Sequence, residues 1–221
     1  PADAEALRRE VRDFLSDEVA AGTFDPDASP MSDGHDVEFS RRVGAKGWIG
    51  MTWPKEYGGQ ERSFLERYVV TEEFRAVSAP VRAHFTADRQ SGPGLLKYAP
   101  EEIKMDILPR ITRGECCFCI GMSEPNSGSD LFAAKAKAEK ADTDWRLNGT
   151  KIWTTNAQNA DYMIGLFRTS APTEDNRRHG LSQFLIDMTW PGIDVNPIVS
   201  MAGGSEFNEV VFTDCKVPAD H

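Results

Sequence analysis

Apolar residues in the first half of the chain return at helical spacings. Leu7, Val11, Phe14, Leu15 and Val19 recur every three or four residues, which predicts a helix over about residues 3–20 with one apolar stripe. The turn-rich segment GTFDPDASP, residues 22–30, ends it. A second helix is predicted over about 36–47, with Val37, Val43 and Trp48 apolar and Gly47 and Gly50 stopping it. Residues 52–59, TWPKEYGG, break any regular element through Pro54, Gly58 and Gly59. A third helix covers about 63–77, with Leu65, Val69, Val70 and Phe74, where Glu72, Glu73 and Arg75 read as a solvated face. Between it and the next helix, His84–Gln90 reads either as an inter-helix loop or as a polar lining segment. A fourth helix covers about 101–113, with Ile103, Met105, Ile107, Leu108 and Ile111, and Pro109 is expected to kink or shorten it.

From Glu115 the period changes. Apolar residues now fall in short runs bounded by turn residues: CCFCIGM, AAKAKAEKA with strict alternation, WRL, TKIW, YMIGLFR, LSQFLIDM and EVVFTDCKV. Asn148 and Gly149, between WRL and TKIW, are the dipeptide that most favours a two-residue hairpin turn, because both positions tolerate φ > 0. About seven strands in so short a stretch give a barrel or sandwich pattern. The expected fold class is therefore α+β: an N-terminal all-α helical domain over residues 1–115, then an antiparallel β-barrel domain over 116–221.

Composition narrows the function. The 221 residues carry 25 Lys plus Arg against 35 Asp plus Glu, a formal net charge of −10, which argues against a basic nucleic-acid groove. No 18-residue apolar run is present to span a bilayer, so a soluble, folded chain is expected. Cys116, Cys117, Cys119 and Cys215 are too few and too clustered for a disulfide framework, and the first residues lack a secretory pattern. A reducing, cytoplasmic location is the expectation. The cysteines show no C-x-x-C pair and no neighbouring histidine, so they read as small apolar strand residues and no metal site is expected. His35, His84, His179 and His221 are scattered and give no triad. Residues 173–180, with Arg177 and Arg178, read as a surface loop between strands.

Two stretches carry candidate chemistry. Residues 121–130, Gly-Met-Ser-Glu-Pro-Asn-Ser-Gly-Ser-Asp, follow an apolar strand and gather hydroxyls and flexible backbone N–H groups that suit an electron-rich ligand. The same residues also make an ordinary connection between strands. Residues 149–157 set Trp153 beside Thr154 and Thr155, which offers an aromatic ligand a ring face and a directional hydrogen bond. A core tryptophan with β-forming threonines is the other reading. The two stretches are about 25 residues apart along the chain, and strands can bring them together.

The segment GMSEPNSGSDL resembles the first signature of the acyl-CoA dehydrogenase family. WPKEYGG, NGTKIWTTNA and VVFTDCKVPAD stand in that family's order and spacing, so the resemblance covers residues 52–221. It implies a flavoprotein that uses FAD to remove hydrogen from the α and β carbons of an acyl-CoA thioester. On that resemblance Ile120, Met122 and Ser123 contact the flavin, the last two at its pyrimidine edge. Gly128 and Ser129 approach the FAD phosphates, with Ser129 also at the acyl-CoA. Trp153 covers one flavin face, Thr155 reaches the N5 region, and Thr154 lies between them. Ile120 stands where relatives often carry an aromatic residue, and Asn126 and Ser127 replace a smaller Gly-Ala pair.

The resemblance places the catalytic base on a further helical domain that follows the β domain, so no residue of this chain is assigned as catalytic. Glu124 lies in the right loop, but its expected role is to accept backbone N–H groups within the turn. The chain is accordingly expected to be part of a longer enzyme. The implied partners are an acyl-CoA substrate, an electron-transfer flavoprotein and further subunits, as a dimer, tetramer or heteromer. Two rival readings keep the same fold: an acyl-CoA oxidase or flavin monooxygenase, and a catalytically silent subunit of a heteromeric complex.

Overall fold

A computed structural model describes residues 2–27 and 34–221, so the end of the turn segment at 22–30 lies outside the described residues. The chain divides into two compact units, Pro1–Cys116 and Cys117–His221.

The first unit is helical. Helix α1 spans Ala2–Ala20 and buries Leu7, Val11 and Leu15, the four-residue repeat that forms its apolar stripe. Helix α2, Val37–Ala45, starts where the Asp36 carboxylate accepts the Phe39 N–H at 2.8 Å. Helix α3, Phe64–Ala76, starts from a reciprocal cap between Ser63 and Glu66. Phe14, Phe39, Trp48 and Phe74 meet at ring centroid distances of 5.3–6.0 Å and form the aromatic centre of this unit. The segment 53–59 is packed rather than loose. Trp53 and Tyr57 are buried, and a Cβ at Gly59 would lie 2.1 Å from the Trp53 carbonyl oxygen.

Three expectations for this unit are corrected. His84–Gln90 is not a loop: α4, Arg82–Thr86, runs through a π turn at Ala87–Ser91 into α5, Gly92–Tyr98. Pro109 does not shorten α6, which runs Glu101–Thr112. The carbonyl that Pro109 leaves without a partner belongs to Met105, whose side chain is exposed, so water can reach that side. Glu73 is not on a solvated face: it is 6% exposed and holds the guanidinium groups of Arg8 and Arg12.

The second unit is one seven-stranded sheet: β1 Phe118–Gly121, β2 Lys137–Ala141, β3 Asp144–Thr155, β4 Tyr162–Arg168, β5 Leu181–Asp187, β6 Ile193–Ile198 and β7 Phe207–Pro218. The order is β1-β4-β2-β3-β7-β6, with β5 also on β4. It curls around a single core that takes Cys119, Ala138, Leu147, Phe167, Ile186, Val210 and Phe212 from six of the strands. Ala134, Ala136 and Ala138 face inward while Lys135, Lys137 and Glu139 face out, the alternation of a half-buried strand.

The sheet is mixed rather than antiparallel, because β4 runs parallel to β1 and to the start of β2. Asn148 and Gly149 do not turn the chain. Residues on both sides of them pair with β7, Leu147 with Cys215 and Gly149 with Phe212, so WRL and TKIW are halves of one strand with a bulge between them. The Asn148 side chain accepts the Asp214 N–H at 2.8 Å, which uses its turn-forming oxygen across the sheet. The tight turn lies earlier, at Asp142 and Thr143 between β2 and β3, with Asp142 at φ 53°. Strand β6 was absent from the expected set. It alternates Ile193 and Val195 with Asp194 and Asn196, contains Pro197 and pairs with β7 alone, as a proline-bearing edge strand can.

Candidate functional site

The candidate site is built at a second bulge in β3. Lys151 pairs with Val210 and Thr154 with Asn208, so three steps on β3 oppose two on β7. The extra residue puts Trp153 at φ 59° and leaves its indole 58% exposed, edge-on to Phe207 at 6.1 Å and 82°. Three residues later Asn156 is also left-handed, at φ 64°. Each such non-glycine residue costs on the order of 1–3 kcal/mol, so two close together mark a backbone held for its geometry.

The bulge also gathers buried polar atoms. Thr154 is 1% exposed and its Oγ1 has no hydrogen-bond partner, and the same holds for Asn208 Oδ1 and Glu206 Oε2. Asn208 Nδ2 donates to the Thr154 carbonyl at 3.0 Å and to Gln158 Oε1 at 2.5 Å. Asn156 N donates to the Glu206 carbonyl at 2.7 Å. A buried hydroxyl without a partner is costly, which is a second mark of a backbone held for its geometry.

The polar bend begins where β1 ends at Gly121. Met122 and Ser123 are half-buried, and Glu124 and Ser127 then exchange backbone hydrogen bonds of 2.7 and 3.0 Å around an exposed Pro125 and Asn126. Gly128 and Ser129 are exposed, and a Cβ at Gly128 would meet nothing within 4 Å. The chain's own packing therefore does not require glycine at 128. Arg177 reaches back to pair with Asp130 at 2.6 Å, which fastens the exposed 173–180 loop to the end of the bend.

Bend and bulge are joined directly. Ile152 N donates to the Ser123 carbonyl at 3.0 Å, one residue before the indole. Beside this bond Lys151, with no exposed surface, donates to Glu124 Oε1 at 2.8 Å and to the Met122 carbonyl at 3.5 Å. Glu124 also accepts the Lys135 N–H at 2.7 Å and the Ala136 N–H at 2.9 Å. Burial works against its charge, but the Lys151 ammonium and these two N–H groups prevail and hold the carboxyl below the usual range. Burial pulls the Lys151 ammonium below the ordinary lysine value, and its bond to Glu124 opposes that pull.

Met122, Ser123, Trp153, Thr154 and Thr155 therefore lie on two strand ends tied to each other. Ile120 lies within β1, paired with Ile164, and Gly128 and Ser129 lie beyond the turn with no hydrogen bond to the bulge. Lys151 was missed by sequence reasoning. Its signal was phase: it stands four residues after the inward Leu147 on an alternating strand. The four cysteines are buried thiols, and burial pushes Cys117 up to about 12 and Cys215 to about 11. An exposed ring, an exposed threonine two residues on and an open glycine fit a large planar cofactor with polar edges.

The family model of the acyl-CoA dehydrogenase N-terminal domain matches residues 1–115, and that of the middle domain matches residues 119–215. Acyl-CoA dehydrogenase IpdE1 of Mycobacterium tuberculosis (strain ATCC 25618 / H37Rv) is 33% identical over 99% of this chain and 58% of its own length. Mitochondrial isovaleryl-CoA dehydrogenase of Pongo abelii is 33% identical over 96% of this chain and 51% of its own. Among solved structures, the Tcur3481-Tcur3483 steroid ACAD superposes with a TM-score of 0.87 at 31% identity, covering all of this chain and 56% of that one. The chain thus spans between about half and three-fifths of the length of these relatives.

Proposed function

Because the chain belongs to the acyl-CoA dehydrogenase family, a family of oxidoreductases, we propose that it carries the flavin-holding part of an enzyme that oxidises the Cα–Cβ bond of an acyl-CoA thioester to a 2,3-enoyl-CoA. The observation that supports this most is the Ile152–Ser123 bond, which ties a polar bend to an outward-turned indole. FAD, when bound, supplies the hydride acceptor for the β carbon.

The residues divide that work. Trp153 offers an exposed face for the flavin ring, and the cost of its left-handed backbone is met by the pairing of β3 with β7 on either side. Met122 and Ser123 present backbone and hydroxyl groups to the pyrimidine edge, where hydrogen bonds favour the electron-rich reduced ring. Ile120 contributes apolar contact from β1. Thr155 brings an exposed hydroxyl to the same ring, with Thr154 between it and Trp153. Gly128 leaves room for phosphate oxygens, and Ser129 serves both the cofactor and the acyl-CoA. The base that takes the α proton belongs to a further helical domain of the whole enzyme. Electrons leave to an electron-transfer flavoprotein, and the working enzyme is an oligomer or heteromer in the cytoplasm.

Anaerobic titration of the flavin-loaded full-length protein with a panel of straight, branched and steroid side-chain acyl-CoA thioesters tests this reading. Bleaching of the flavin band by at least one thioester, with slow recovery in air, is the expected result. Recovery within seconds in air would assign an oxidase instead, and a protein that takes up no flavin would contradict the reading outright.

A further inference from the structure

A lysine with no exposed surface demands a reason, because an ion pair removed from water is often no more stable than apolar residues of equal size. An apolar pair, however, could not do what Lys151 and Glu124 do together. The ammonium grips the bend at the Met122 carbonyl and at Glu124, and it lies 4.9 Å over the ring of Phe167 on β4. The carboxylate in turn holds the N–H groups of Lys135 and Ala136 at the entry to β2. Three backbone groups, from the bend and from the entry to β2, and one ring of β4 converge on two side chains. The point of convergence is two residues before Trp153 and next to the Ile152–Ser123 bond.

Resting on the flavin reading above, we propose that Lys151 and Glu124 form a positioning clasp that sets the Met122–Ser123 bend in register with the Trp153 bulge, so that both meet one flavin ring. The pair does not touch the reacting atoms; it acts through the Met122 carbonyl and the Ser123 strand end. A Cβ on Gly121 would come within 3.2 Å of the Lys151 side chain, which shows how closely the clasp packs beneath the bend.

The test is the double variant Lys151→Met with Glu124→Gln, which keeps the volume and removes both charges. Two readouts are taken on the full-length protein. Amide hydrogen exchange, read without flavin, should show protection at Ile152, Lys135 and Ala136 falling at least tenfold while the amides of the β4–β5 pair hold. FAD affinity should fall at least tenfold, and the flavin absorption band should move toward that of free FAD while the unfolding midpoint stays close to the parent's. If the double variant does not fold, Lys151→Leu with Glu124→Gln, another charge-free pair of similar size, is read in the same way. Unchanged exchange at those three amides would overturn the clasp whatever the flavin does. So would loosened amides with native FAD affinity and spectrum. A parent protein that binds no FAD would defeat the functional reading while the exchange readout still decided the clasp.

Discussion

In the helical unit Glu73 and Glu18 are buried carboxylates whose partners reach in from the surface, whereas in the β unit Lys151 and Glu124 are both enclosed. The side chains of Arg8, Arg12 and Arg42 are 21%, 61% and 42% exposed, against 0% for Lys151 and 8% for Glu124. The first kind of pair fastens neighbouring helices, α1 to α3 and α1 to α2, and its guanidinium groups can turn to water if the carboxylate is lost. The second has no such relief, and it sits where a bend and a bulge must agree in register. Charge at the rim of the helical unit holds elements together; charge inside the sheet sets the geometry of a site.

The contrast can be broken most forcefully by truncating one partner. Lys151→Ala leaves Glu124 buried and unpaired and should cost about 3–5 kcal/mol in urea unfolding, while Lys151→Met with Glu124→Gln should recover most of it. Glu73→Gln should cost clearly less, since Arg8 and Arg12 can turn to solvent; an equal or larger loss would erase the distinction.

Acid sharpens it. Burial raises the carboxyls of Glu18 and Glu124, and their hydrogen bonds and ion pairs outweigh that; for Glu73 the Arg12 bond is the foremost cause. All three native pKa values lie below the unfolded value of about 4.3, so their stabilisation is complete above that pH and is lost as pH falls through the native values. Unfolding midpoints measured from pH 7 to pH 3 should fall, and the fall should be shallower in the charge-free double variant and in Glu73→Gln.

Smaller effects separate fold from site. Thr154→Val removes a buried hydroxyl without a partner and should raise apo stability by about 1 kcal/mol, with FAD affinity close to the parent's. Trp153→Gly relieves the cost of a left-handed backbone at φ 59° and should leave apo stability unchanged or raised by about 1 kcal/mol, yet reduce FAD retention at least tenfold. Comparable losses in both measurements would make Trp153 a structural residue.

Legibility in the sequence followed locality. The stripe Leu7, Val11, Leu15 and the alternation Ala134, Ala136, Ala138 were readable because each is a repeat between close neighbours in sequence. Pairing between distant strands was not, which is why Asn148-Gly149 looked like a turn: its local preference is overruled when both flanks pair with β7. The parallel β1–β4 pairing and the edge strand β6 were hidden for the same reason. At the candidate site, Ser123 and Trp153 stood out by residue type and Met122 through the family resemblance, but Lys151 carries no such mark and is recognised only by its inward phase on β3. The left-handed backbone of Trp153 is likewise a product of the bulge and not of any local preference of tryptophan.

The central claim is that the bend after Gly121 and the indole of Trp153 serve one ring. A crystal structure of the full-length protein with FAD tests it most directly. The isoalloxazine is expected within hydrogen-bond distance of Met122 or Ser123 and in van der Waals contact with Trp153 at once. A flavin bound elsewhere, or touching only one of the two, would contradict it.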